Sequence, residues 1–154
     1  MPFKFKLAKI LKLREDAVQE LVREIQLIEK DIETTKLDIK VKYVEIKSTQ
    51  DEMIETNYQY AEGHLRILKK LEKQFEKLHE KLADLRKKLK LKQDELFEMR
   101  MKVETLKKLR EKQEAEYIKL ENEREQKETD EKVSLKFAAE LIKTQREEEE
   151  DDWG

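Results

Sequence analysis

The chain has 154 residues, of which 47% are charged, and its formal net charge is −2. It holds two glycines, one proline and no cysteine. This excludes a disulfide framework, a thiolate metal site and a glycine-rich phosphate loop, and it disfavours a compact globule, whose charged share is typically about 25%.

The opening residues, Pro2-Phe3-Lys4-Phe5-Lys6-Leu7, are basic but lack a continuous apolar core, so they do not read as a signal peptide. No apolar run approaches the roughly 20 residues of a membrane span. The expectation is a cytoplasmic protein that does not insert into a membrane.

Helix one is expected over about residues 3–58. Stepping from Leu7 alternately by four and three residues gives a track through Leu11, Val18, Ile25, Ile32 and Ile39 to Met53, and ten of its 14 positions are apolar. The exceptions are Arg14, Thr35, Lys42 and Thr49. Such a 3.5-residue period, sustained over this length, is the seam of a left-handed coiled coil. Ile10, Val22, Leu27, Leu37, Val41, Tyr43 and Val44 lie off the seam. Either they broaden the face packed on the partner helix, or some of them meet another protein.

A turn is expected over about residues 58–66, within Asn57-Tyr58-Gln59-Tyr60-Ala61-Glu62-Gly63-His64. Gly63 is the internal glycine and the natural place for a positive φ. Helix two follows over about 66–147. Its track from Leu68 through Phe75, Leu82, Leu89, Leu96 and Val103 to Arg124 is apolar at 13 of 17 positions. Two long helices joined by a short turn pack antiparallel.

Matching polar seam residues favours a register in which facing residue numbers add to about 127–128, pairing Thr35 with Lys92 and Arg14 with Gln113, over one adding to about 121 that sets every polar seam residue opposite an apolar one, because unpaired buried polar groups are costly. On that register helix one ends near residue 124 of helix two. The rest of helix two overhangs and carries an apolar patch of Leu135, Phe137, Ala138, Ala139, Leu141 and Ile142. Glu147 to Asp152 are six consecutive acids, read as a disordered tail at 147–154. The fold class is therefore all-α: one long antiparallel two-helix coiled-coil hairpin, a single domain, with the second helix overhanging.

Charge is segregated along the chain. Residues 64–113 carry 17 basic and nine acidic groups, and residues 114–154 carry seven basic and 15 acidic. The basic run Arg86-Lys87-Lys88-Leu89-Lys90-Leu91-Lys92 also supplies seam leucines and has no interleaved aromatics, so it reads as a coiled-coil flank rather than a nucleic-acid site. His64 and His79 stand 15 residues apart and form no His-Glu-x-x-His pair. No catalytic residue, cofactor or metal is expected, and the chain is read as a binding protein, not an enzyme.

Two stretches carry a resemblance. Phe3-Lys4-Phe5-Lys6-Leu7 with Ile10-Leu11, and Gln126-Lys127 with Asp130-Glu131, resemble the two ends of the FliJ family of flagellar type III export proteins. The resemblance implies a hairpin like the central shaft of a rotary ATPase, standing in the ring of a hexameric export ATPase and promoting its assembly and activity. It also implies contact with the cytoplasmic domain of the membrane export gate and with export chaperones, at the inner face of the cell membrane at the flagellar base. By that mapping Phe3, Phe5, Lys9, Gln126, Asp130 and Glu131 touch the ATPase ring, and Ile67, Leu71 and Gln74 touch the gate. Alternatives are a stalk of another rotary or secretion ATPase, or a client-binding coiled-coil chaperone. The hairpin satisfies its own seam, so a monomer is expected for the free chain, with no nucleic-acid partner.

Overall fold

The computed structural model describes residues 2–56 and 60–153, with side chains through Asp151. Helix α1 runs Ala8–Glu55 and α2 runs Ala61–Trp153, and the two pack against each other as an all-α hairpin. The packing divides the chain into two units, where the sequence suggests one domain. One comprises Lys9–Glu104; the other gathers Met1–Ala8 with Thr105–Gly154.

In the Lys9–Glu104 unit the seam follows the expected track. Every track position from Leu11 to Met53 and from Leu68 to Val103 is buried or half-buried, the polar ones included. The narrow stripe follows from the sequence: a residue every 3.5 positions keeps one line of side chains facing the partner, and everything else faces water. Ile28, Ile32 and Leu82 form the buried centre, with Ile39, Leu85 and Leu89 packed around them. Burying each such side chain is worth about 1.5–3 kcal/mol.

The register differs from the expected one. Lys92 pairs with Glu24, and His64 lies beside Glu52; both pairs of numbers add to 116, not to about 127. The expected register rested on giving Thr35 a polar neighbour, and Thr35 needs none. Its hydroxyl donates to the Asp31 carbonyl one turn back at 2.8 Å, so the residue is fully buried with its polar atom satisfied inside its own helix. Lys92 meets its need differently, extending its ammonium across to Glu24 at 2.9 Å. Thr35 is thus satisfied within its own helix and Lys92 across the seam, and neither calls for the other as a partner.

The turn moves accordingly. Gly63 lies inside the first turns of α2, and a Cβ there would meet nothing within 4 Å. It is a helical residue and not the turn's left-handed pivot. Helix α1 closes with Thr56, whose amide and hydroxyl both donate to the Glu52 carbonyl, at 3.1 and 2.8 Å. Tyr58 and Gln59 of the expected turn, with Asn57, lie outside the described residues. Helix α2 opens with the His64 amide on the Tyr60 carbonyl at 3.1 Å, and Glu62 in its first turn complements the helix dipole.

Of the seven off-seam apolar residues of α1 named above, Val22 is half-buried. Ile10, Leu27, Leu37, Val41, Tyr43 and Val44 are exposed. They do not broaden the packing face, because a two-helix seam covers one narrow line of each helix.

In the other unit, residues 2–7 precede the helix instead of forming its first turns. Phe5 is buried, and its carbonyl accepts the Ala8 amide at 3.2 Å, so the chain turns before α1 starts. Phe3 lies on Tyr117, ring centroids 5.6 Å apart and planes tilted by 45°. Glu121 is the last half-buried position of α2, and residues 122–151 are all exposed. Helix α2 continues through the acid run to Trp153, where the sequence suggests a disordered tail. Glutamate is a good helix former, and an already formed helix extends without a new nucleus.

Candidate protein-binding surfaces

The residues mapped to the ATPase ring fall mostly in one unit. Phe3, Phe5, Gln126, Asp130 and Glu131 belong to the Met1–Ala8 and Thr105–Gly154 unit, whereas Lys9 opens the other. Within it they divide by role. Phe3 is half-buried against Tyr117, which ties the N-terminal segment to α2, and Phe5 in the same segment is buried. The Tyr117 hydroxyl is buried there with no hydrogen-bond partner among the described residues. Gln126, Asp130 and Glu131 are exposed, and Lys9 is exposed on the first turn of α1. Gln126 and Asp130 sit one turn apart on a shared face with Leu120, Glu123 and Lys127.

The start of α1 and the end of α2 both work against their helix dipoles. The first turn of α1 has no acid but carries Lys9, and the last turn of α2 has no base and follows the acid run. Cations at a helix N-terminus and anions at a C-terminus each cost roughly 0.3–1 kcal/mol.

The residues mapped to the export gate lie on α2 near its start. Ile67, Leu71 and Gln74 share one face at i, i+4 and i+7 spacing. Ile67 is exposed, while Leu71 and Gln74 are half-buried, and Leu71 belongs to the seam. Ile54 and Tyr60 are also exposed, in the last turn of α1 and just before α2. Ile54 falls off the seven-residue track, so its exposure was readable from the sequence; Tyr60, seven residues after Met53, keeps the phase of that track, so its exposure was not. His79 lies edge-on to Phe75 at 4.5 Å and is otherwise exposed, consistent with a flank residue.

One side chain is electrostatically tuned. The hydrogen bond to Glu24 holds the Lys92 ammonium above the ordinary lysine value of 10.5, against partial desolvation, with Glu95 adding a smaller push in the same direction. The remaining ion pairs are mostly exposed i,i+3 or i,i+4 contacts such as Glu20–Arg23 and Arg124–Glu128, worth a few tenths of a kcal/mol each. Among the described residues no group of three or more His, Asp or Glu could hold a metal ion, and no helix is long and apolar enough to cross a membrane.

These features define a class: an all-α hairpin whose exposed candidate residues, Lys9, Ile67, Gln126, Asp130 and Glu131, lie on helix surfaces. The chain belongs to the FliJ family; the family model described as the flagellar FliJ protein matches residues 3–141. Membership gives it a role in flagellar export, as a component of a family that is not enzymatic. No curated protein and no solved structure matches the chain.

Proposed function

We propose that the chain is a non-enzymatic stalk of the flagellar export apparatus. It stands in the ring of the hexameric export ATPase and promotes ring assembly and hydrolysis. Its other end links the ring to the cytoplasmic domain of the membrane export gate and to export chaperones, at the inner face of the cell membrane.

The observation that carries this reading is the gathering of both terminal segments into one unit. Phe3 packs on Tyr117 of α2 and Phe5 is buried in the same unit, while Gln126, Asp130 and Glu131 further along α2 are exposed. The surface offered to a ring is thus polar and mixed in charge, on a helical support roughly 10–20 Å wide. Such a surface makes exposed contacts worth little individually, which suits a part that must shift between equivalent ring subunits. The Ile67 face, in the Lys9–Glu104 unit, is separately available to the gate.

The test is hydrolysis by the purified export ATPase with and without the chain. The reading expects co-elution with the hexamer and a rise in rate. A combined Gln126→Ala, Asp130→Ala, Glu131→Ala variant should fold normally and lose most of that rise. No stimulation by the wild-type chain would refute the proposal.

A further inference from the structure

Two exposed stripes of α2 are mirror images in their spacing. On one, in the Lys9–Glu104 unit, Phe97 has Met101 four residues after it, Lys90 seven before and Arg86 eleven before. On the other, in the C-terminal arm, Phe137 has Val133 four residues before it, Thr144 seven after and Glu148 eleven after. In a helix, offsets of four, seven and eleven return to the same face, so each set forms one stripe. All eight residues are exposed, and the two rings are 67% and 64% exposed.

We infer that the C-terminal arm of one copy docks antiparallel on the Phe97 stripe of a second copy. Laid antiparallel, Phe137 meets Phe97, Val133 meets Met101, and Glu148 meets Arg86, all at one register. Asp151, one turn beyond Glu148, adds a second carboxylate on the Arg86 side. The apolar ends bury two aromatic rings, and the charged ends carry opposite signs. The regional charges agree: residues 64–113 have a net charge of +8 and residues 114–154 have −8, from 17 basic against nine acidic groups and seven basic against 15 acidic.

A second observation points the same way. The acid run ends α2 with no basic residue in its last turn, so it opposes its own helix dipole. Guanidinium and ammonium groups of another copy relieve that opposition. An antiparallel contact in which a residue of one copy meets a second residue of the other, and the reverse, is isologous, the form of association that closes as a dimer. A parallel stagger could also set Phe137 on Phe97, but it is heterologous and propagates instead of closing. The hairpin seam is satisfied within one copy, which is why the sequence suggests a monomer. The stripes lie off the seam and add a reversible association.

Sedimentation of the full chain tests this. The wild type should show a reversible monomer–dimer equilibrium that weakens with salt. Phe137→Asp should raise the dissociation constant about tenfold or more, while helix content by circular dichroism is unchanged. Arg86→Glu alone should weaken the dimer, and adding Glu148→Arg should restore it. As the chain has no cysteine, mixing Met101→Cys and Val133→Cys proteins under oxidation should yield a cross-linked dimer of the two. A chain that stays monomeric at every concentration overturns the inference. So does a dimer indifferent to both Phe137→Asp and Arg86→Glu, or cross-linking to Met101→Cys through Leu141→Cys in place of Val133→Cys.

Discussion

The Lys92 ammonium reaches across the seam to the Glu24 carboxylate at 2.9 Å, and this contact reports the register of the hairpin. Lys92 stands on the seam track, where a lysine would ordinarily be buried at a cost. The pair resolves that by setting the ammonium against the Glu24 carboxylate, with both side chains partly exposed. The partners should therefore be coupled: Lys92→Met and Glu24→Gln each destabilise the hairpin, and the double variant loses less than the sum. A double-mutant cycle by urea unfolding reads this directly, and additivity would contradict the pairing.

The same pair gives a pH dependence with a defined sign. Lys92 titrates above 10.5 in the folded chain because Glu24 favours its charged form. A raised folded value means the stabilisation is fully present below 10.5 and is lost as pH climbs through the folded value. Wild-type stability should fall in that alkaline range more than that of Lys92→Met, and parallel curves would contradict it.

Thr35 is fully buried on the seam, with its hydroxyl turned back onto Asp31. Replacing that hydroxyl by a methyl group removes a bond made within one helix and adds apolar contact with the other. Thr35→Val should stabilise the hairpin by on the order of 1 kcal/mol. Thr35→Asn should destabilise it by more. Urea midpoints check both.

The Tyr117 hydroxyl is buried with no hydrogen-bond partner among the described residues, and its ring packs on Phe3. An unsatisfied polar atom of this kind costs about 1–3 kcal/mol. Tyr117→Phe should therefore be neutral or stabilising. Phe5→Ala should instead release the N-terminal segment and raise amide exchange there and around residue 117, while the seam from Ile25 to Leu89 keeps its protection.

The seam was legible in the sequence because a seven-residue period has one dominant physical cause, and each position from Leu11 to Met53 lies where the period puts it. The register was not. It depends on whether a polar seam residue finds its partner across the hairpin or along its own helix, and Thr35 and Lys92 chose differently. Gly63 misled for a related reason: glycine permits a turn but does not require one, and a helix tolerates it near its start at about 1 kcal/mol. The exposed stripes of α2 were half visible. The arm patch around Phe137 stood out as apolar residues beyond the seam, whereas Phe97 and Met101 were hidden beside seam residues Leu96 and Met99.

The stalk proposal makes its sharpest demand on which part of the chain meets the ATPase. A photo-cross-linking side chain placed at Gln126, and separately at Ile67, measures this in the assembled complex. The account predicts cross-links to the ATPase subunits from position 126 and to the export gate from position 67. Cross-links to the ATPase from position 67 with none from position 126 would contradict it.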